Sequence, residues 1–430
     1  MKHLRRAAVP IVCLTAILAM VGQLSAPAEA ATGDITEYPL TGSGVATTMA
    51  PSLDGNLWFQ DQFFNKIGKI TTGGTVTMYP VPTPAAGIFD VATGPDGNVW
   101  FAEQSAHQVG VITPSGAVTE FPTPGSSPHG IAPGPDGNLW FTDEQTSVGK
   151  IGKITPSGVV TLYAGLTSFP REITAGPDGK LWFTENYNGG NSKIGRITTS
   201  GTIKEFPLAN PLATPTGIAA GPDGNLWFAE SCNCVNSIGR ITPSGTITEF
   251  GVPTANAAPE YVFSGSDGNL WFTEEAASPD KVGRITPTGT ITEFTTPSSG
   301  AGSLGITMGP DGNEWFSEGG IKKAGRISVA AAATSYALSI DAGFVPKTLK
   351  LKKQGTTAQW SFIGAQAHSV TDGSGMGLFD SGTHQPVSFF SYPFVAAGTY
   401  SYKDTLRPSH TAKVGVPLVV KLIAGPPDSA

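Results

Sequence analysis

The chain has 430 residues, with 26 Lys and Arg against 33 Asp and Glu, for a formal net charge of −7 at neutral pH. A modestly acidic balance argues against nucleic acid as a partner. The length is far more than one small core needs, and abundant glycine with sparse charge suits an exported β-protein rich in turns.

Residues 1–30 read as a secretory signal. Lys2, Arg5 and Arg6 give a basic start, residues 7–21 an apolar core, and residues 28–30 a small-x-small cleavage site before Ala31. An uncleaved anchor is the alternative, but the apolar run is short for a span. Cys13 lies inside that run, which argues against a lipid-anchoring cysteine. The expected location is secreted, periplasmic or cell-surface, with no stable membrane span after cleavage. Removing the signal takes three basic residues and Glu29, so the charge becomes 23 − 32 = −9.

Residues 32–329 carry one motif seven times: Asp-Gly-Asn-Leu-Trp-Phe or a near variant, centred on Trp58, Trp100, Trp140, Trp182, Trp227, Trp271 and Trp315. The spacings are 42, 40, 42, 45, 44 and 44 residues. A period of this size, filled with short alternating runs and Gly/Pro turns, predicts a β-propeller. In the fifth repeat, residues 216–221, 226–230, 237–242 and 246–250 form four strands, with Asp-Gly and Ser-Gly turns that accept positive φ. Strands of the Ile-Gly-Arg-Ile type number seven, and so do those of the Thr-Glu-Phe type. The first Thr-Glu-Phe copy, residues 36–38, precedes the first Trp repeat, and none follows the seventh Ile-Gly-Arg-Ile strand. The N-terminal strand is therefore expected to complete the seventh blade and close the ring.

The loops after each Trp strand and the crossings into the next blade vary, so a site is expected on their face. Tyr187 lies in one such loop, and Cys232 and Cys234 in another. These cysteines could form a strained one-residue disulfide or stay free thiols, and two sulfurs alone are a weak zinc signal. A carboxylate stands three residues after every Trp: Asp61, Glu103, Asp143, Glu185, Glu230, Glu274 and Glu318. Such a ring could bind a divalent cation. The favoured reading is structural, each acid holding its own loop by accepting backbone N–H bonds, because a repeated residue answers a repeated problem. Where the crossing loop meets the innermost strand, one position carries His129, Arg171, Thr216, Glu260 and Leu304 in successive blades. His129 could serve as base or ligand, or be one hydrogen-bonding loop residue among several. Arg171, Glu172, Tyr187, Glu260 and Tyr261 join His129 as the expected binding face. His129, Glu172, Glu260 and Glu318 are the candidates for catalysis.

The repeat Gly-x-Asp-Gly-Asn-Leu-Trp-Phe-x-Glu … Lys-Ile-Gly-Arg-Ile-Thr-Pro-Ser-Gly-x-Ile-Thr-Glu-Phe resembles the streptogramin B lyase (virginiamycin B lyase) family over about 300 residues. The resemblance implies a seven-bladed propeller and magnesium-dependent opening of a cyclic depsipeptide by elimination. It implies histidines in the crossing loops into the last two blades, a glutamate two residues before the second, and a glutamate four residues after the last Trp. Those positions carry Glu260, Leu304, Gly302 and Gly319 here. The Pro-His-Gly-Ile run stands only in blade three, at residues 128–131.

Residues 330–335 read as a linker of small residues, and residues 336–424 as a second β-domain. Its runs at residues 344–349, 368–372, 379–382, 389–394 and 398–402 resemble the cupredoxin (plastocyanin-like) family. There the resemblance places a copper-binding His at His368, while Asp404 stands for the Cys, Arg407 for the second His and His410 for the Met. Blue copper needs the thiolate, so that chemistry is excluded. A metal-free sandwich is expected. The alternative is a zinc or Cu(II) site of His368, His410 and Asp404, with Arg407 weighing against it.

Fold class is thus all-β: a seven-bladed β-propeller followed by a cupredoxin-like β-sandwich, expected as a monomer. The first functional reading is a binding propeller for a peptide, glycan or protein at the cell surface, without a cofactor. The rival is a magnesium-dependent carbon–oxygen lyase for a cyclic depsipeptide such as streptogramin B.

Overall fold

The computed structural model describes residues 33–329 apart from 43, 53, 145–148, 187–191, 233–234 and 266; past residue 329 it describes only the backbone of strands lying between Ser335 and Val416. Tyr187 and the thiols of Cys232 and Cys234 fall outside the described residues. Among the described residues there is no helix, and so none long and apolar enough to cross a membrane.

Seven four-stranded antiparallel sheets form the ring. Blade one runs outward from Ala46–Pro51 through Asn56–Asp61 and Lys66–Thr71 to Val76–Pro80. Blades two to six repeat that order, with innermost strands Ile88–Thr93, Pro128–Pro133, Phe169–Ala175, Pro215–Ala220 and Pro259–Ser264. Blade seven supplies Ser303–Met308, Glu314–Glu318 and Lys323–Ile327, and its outer strand is the N-terminal Ile35–Pro39. The pairing is antiparallel from Ile35 opposite Ile327 to Pro39 opposite Lys323, the closure expected from the strand order. The innermost strand of blade one packs on that of blade seven, so the ring has no free edge between its first and last blades.

The Trp motif explains itself locally. Glycine takes the left-handed turn position (Gly224, φ 76°), and the preceding aspartate accepts a hydrogen bond from the indole four residues on. That bond recurs in all seven blades, from 2.9 Å at Trp140 and Trp182 to 3.4 Å at Trp58. Each buried indole stacks on an aromatic ring of its blade's outer strand, as Trp182 does on Phe206 at 5.5 Å. Each also packs beneath the next blade: Trp58 joins Ile88, Val91 and Phe101, and Trp315 joins Met49, Leu57 and Phe59 across the closure.

The carboxylates three residues after each Trp divide into two kinds. Asp61 accepts the Gly44 and Phe64 N–H groups at 2.7 and 3.2 Å, and Asp143 accepts Ser127 N–H at 2.7 Å. These two hold loops as expected. The five glutamates do not: Glu103, Glu185, Glu230, Glu274 and Glu318 are fully buried, and no donor of the described residues reaches either oxygen. The extra methylene carries the carboxyl past the loop and toward the outer strand.

Past the propeller, strands Gly343–Val345, Ser335–Ile340, Thr356–Phe362 and Ser388–Phe394 form one sheet in that order. A second contains Thr348–Lys350, Arg407–Val416, Gly398–Asp404, His368–Asp372 and Asp380–His384.

Candidate functional site

Each innermost strand begins with a break in register against its neighbour, between Pro128 and Ile131 in blade three and at matching places elsewhere. Such a bulge re-aims consecutive side chains. A hydroxyl two residues after the Trp stabilises it in blades three and four. Thr142 Oγ1 accepts Gly130 N–H at 2.8 Å and donates to the Arg171 carbonyl of the next blade at 2.5 Å. Thr184 likewise accepts Glu172 N–H and donates to the Thr216 carbonyl. The first bulge position reads Thr47, Phe89, His129, Arg171, Thr216, Glu260, Leu304, and the second Thr48, Asp90, Gly130, Glu172, Gly217, Tyr261, Gly305.

From blade two onward, large polar residues alternate with glycine at the second position. The glycines are required by contact. A Cβ on Gly130 would sit 2.5 Å from the Arg171 carbonyl, one on Gly217 2.7 Å from Tyr261 Cα, and one on Gly305 2.4 Å from the Thr47 carbonyl. With those blades reduced to backbone, Asp90, Glu172 and Tyr261 of blades two, four and six meet at the channel mouth. The Tyr261 hydroxyl donates to Glu172 Oε1 at 3.1 Å, across the ring. Asp90 accepts Val91 and Ile131 N–H, both at 2.8 Å.

His129 lies between two carboxyls, its Nδ1 3.9 Å from Glu172 Oε1 and its Nε2 3.9 Å from Glu144 Oε1. The Phe89 ring packs on it at 4.8 Å. Glu144 is held by Gln104 Nε2 at 3.1 Å and approached by Arg171 Nε at 3.7 Å. Arg171 and Glu144 form the accessible rim, with side chains 35% and 26% exposed, while His129 is 6% exposed beneath them.

Burial sets the protonation of this group. It lowers the His129 imidazolium to about 3, assisted by the Arg171 charge, so the ring is neutral. It raises Glu172 well above the carboxylate range, with the charges of Asp90 and Glu260 adding and Arg171 opposing. It brings Asp90 to about 6 and Glu260 to about 7. Burial likewise lifts the Tyr261 phenol, so it stays a donor. A neutral histidine, a glutamic acid shifted toward its protonated form and two carboxyls titrating near neutrality can exchange protons and hydrogen bonds with a polar ligand.

Of the residues singled out from sequence, His129, Arg171, Glu172, Glu260 and Tyr261 belong to this cluster. Glu318 is set apart, fully buried and facing Glu37 of the outer strand. Asp90, Phe89, Gln104 and Glu144 were not anticipated; Asp90 is found by comparing the second bulge position, and Gln104 and Glu144 by comparing the fourth residue after each Trp.

On the opposite side, Leu304 and Val45 fill the space over Gly319: a Cβ there would lie 3.2 Å from Leu304 Cδ1 and 3.0 Å from Val45 Cγ1. Among the described residues, no three His, Cys, Asp or Glu side chains converge to hold a metal ion.

A ring of seven Trp-anchored, four-stranded blades with an asymmetric polar mouth defines a seven-bladed β-propeller. The chain belongs to the virginiamycin B lyase family, whose profile matches residues 35–279 and 124–362. It is similar to virginiamycin B lyase from Staphylococcus aureus, 39% identical, over 69% of this chain and 99% of that one, with a TM-score of 0.63. An inactive histidine-to-alanine variant of that enzyme, solved with quinupristin, is 38% identical over 69% of this chain and 99% of that one, with a TM-score of 0.63. Hydrazine synthase from Kuenenia stuttgartiensis, 15% identical, shares the fold alone over 68% of this chain and 97% of that one (TM-score 0.59). No curated protein matches the chain.

Proposed function

We propose that this is an exported binding propeller of the virginiamycin B lyase family, taking a peptide, glycan or protein segment at the mouth formed by blades two, three, four and six. The observation that carries this reading is the displacement of polar chemistry around the ring. Glu260, Gly302, Leu304 and Gly319 occupy the positions of the lyase constellation, while Asp90, His129, Glu144, Arg171, Glu172 and Tyr261 converge elsewhere. Backbone bonds between neighbouring blades pre-organise that group, which lowers the cost of binding.

A second reading has its own support. Blade three combines a Pro-His-Gly-Ile run with Glu144, four residues after its Trp, and the two side chains are 3.9 Å apart. This repeats within one blade the pairing that the resemblance implies for the last. It favours a lyase relative with its base relocated to His129, although a neutral imidazole this deeply buried is a weak base.

One experiment separates the two. The full chain is offered quinupristin and a panel of linear peptides and soluble glycans, with and without magnesium, following both binding heat and ring opening. The binding reading expects heat with at least one probe, lost on Arg171→Ala, and no ring opening. Magnesium-dependent opening that disappears in His129→Ala would establish the lyase reading instead.

For the C-terminal segment we propose a cupredoxin-like sandwich without a resident metal. Its support is the sequence order of the cupredoxin-like runs and the two-sheet backbone pairing, with Asp404 where copper would need a thiolate.

A further inference from the structure

The five buried glutamates of the Trp strands have a partner in common. On the same sheet face, one step diagonally across the third strand from each, stands a glutamate of the outer strand that acts on it electrostatically: Glu103 with Glu120, Glu185 with Glu205, Glu230 with Glu249, Glu274 with Glu293, and Glu318 with Glu37. The register places Gly110 beside Glu120, Gly195 beside Glu205, and Gly325 beside Glu37. A Cβ on that glycine would strike the Phe of the Trp strand first, and on Gly195 it would meet Phe183 at 2.0 Å and also come within 2.6 Å of Glu185 Oε1.

The blades vary together at these places. Blades one and three carry Asp61 and Asp143, and their outer strands carry Met78 and Leu162 at the glutamate position. Glutamate occurs at both places or at neither. Four of the outer glutamates, Glu37, Glu120, Glu205 and Glu293, are well supplied with donors. Glu120 accepts Thr83 N–H and Oγ1 at 2.9 and 2.8 Å, and Glu205 and Glu293 accept the same pair from Thr167 and Thr254. Glu37 takes Ser298 N–H and hydroxyl at 2.8 and 2.6 Å. Lys193, Lys281 and Lys323 each lie 2.7 Å from the outer glutamate of their blade. The inner glutamates receive no such donor. An unpaired buried carboxylate beside another carboxylate is untenable, whereas one added proton turns the contact into an O–H···O⁻ hydrogen bond.

We propose that these five pairs each share one proton as a carboxylic acid–carboxylate clasp, holding the outer strands, the ring-closing strand Ile35–Pro39 among them, until rising pH removes the protons to solvent.

The electrostatics agree in sign. Burial first, then the outer glutamate's charge, raises each inner glutamate to about 8. Lys193, Lys281 and Lys323 oppose this in blades four, six and seven, and Asp280 adds to it in blade seven. Glu37, Glu205 and Glu293 are lowered, mainly by donors that outweigh their burial. A raised acid stabilises the fold fully below its unfolded value near 4.5 and loses that contribution up to about pH 8. The lowered acids lose theirs only as pH falls below the ordinary carboxylate range.

The test is the melting temperature of the full chain from about pH 4.5 to 9.5. The wild type should be most stable near pH 5, fall steadily to about pH 8 and level beyond it. Replacing Glu103, Glu185, Glu230, Glu274 and Glu318 together by Gln should flatten the fall, since an amide donates without a proton to lose. Single Glu103→Gln and Glu318→Gln variants, should the fivefold one not fold, should each remove a similar part of the slope, leaving the part that Glu172, Asp90 and Glu260 contribute. Infrared spectra of the wild type in D2O should show a buried protonated carboxyl band at pH 6 that weakens by pH 9 and is reduced at pH 6 in the Gln variants. A flat wild-type profile, an unchanged slope in the Gln variants, or no such band overturns the proposal. So does recovery of the low-pH stability by calcium at pH 8, which would put a metal cation where the proton is placed.

Discussion

The Trp wall and the channel mouth are built from the same seven blades, yet they obey opposite rules. In the wall, every blade solves one problem in one way: an indole bonded to the turn aspartate, stacked on the outer strand and covered by the next blade. At the mouth, the two bulge positions carry a different pair of residues in each blade, and the large ones fit because alternate blades shrink to glycine. Repetition marks what closes the ring, and its breakdown marks where chemistry is possible.

The sharpest way to break this comparison is to remove the strand that makes the wall continuous. Deleting residues 34–40 discards buried Leu40, the Tyr38 stack on Trp315 at 5.2 Å and the Glu37–Lys323 pair at 2.7 Å. At roughly 1.5–3 kcal/mol per large apolar side chain, the expected loss is about 4 kcal/mol or more. Thermal unfolding measures it, and an unchanged melting temperature would mean that blade seven stands without its outer strand. Next in size are the indoles. Each Trp→Ala variant should cost about 3–5 kcal/mol. Because the seven settings are equivalent, the costs should cluster, and a spread beyond about 3 kcal/mol in denaturant titrations would show the wall to be less uniform than its geometry.

How much of this could be read in the sequence follows the same division. The blade count and the closing strand were legible because turn, indole and strand recur at a fixed period. The mouth was half legible. Comparing the crossing loops into blades three to seven picks out His129, Arg171, Glu172, Glu260 and Tyr261. The strand start of blade two, residues 88–91, has a different sequence form and stands outside that comparison, so Asp90 is missed. The carboxylates after the Trp were misread in five blades because Asp and Glu were treated alike. One methylene decides whether the group turns back to its loop, as Asp61 does, or reaches the outer strand, as Glu103 does.

A smaller effect sharpens the comparison at the mouth. Burial raises Glu172 well above the ordinary carboxylate range and favours its neutral acid, so Glu172→Gln should change stability by less than about 0.5 kcal/mol near pH 5. The sign of the pH dependence is definite. A folded-state value above the unfolded one makes the wild type lose stability as pH rises past the ordinary carboxylate range, whereas the variant does not. Gln should therefore become relatively more stabilising toward alkaline pH. Paired melting curves at pH 5 and 8 check this, and a variant that is less stable at both would mean that Glu172 is ionised after all.

The smallest expected signal lies beyond residue 329, where scaffold and chemistry again part company. Strands Gly398–Asp404 and Arg407–Val416 are neighbours, with Asp404 opposite Arg407, and His368–Asp372 pairs with the first of them. His368, Asp404 and His410 thus stand on three adjacent strands of one sheet, and the register sets His384 opposite His368. No cysteine lies in this segment, so Cu(II) added to the full chain should give no intense sulfur-to-copper charge-transfer band. Any binding by the histidines needs neutral imidazoles, so it should strengthen between about pH 5 and 7 and vanish when His368 and His410 are both replaced by Ala. Calorimetric titration of the full chain with Cu(II) and Zn(II) reads this directly. A metal-free scaffold predicts the same small heats in the wild type and in that double variant. A pH-dependent excess in the wild type alone would show that the histidines hold a metal without a thiolate.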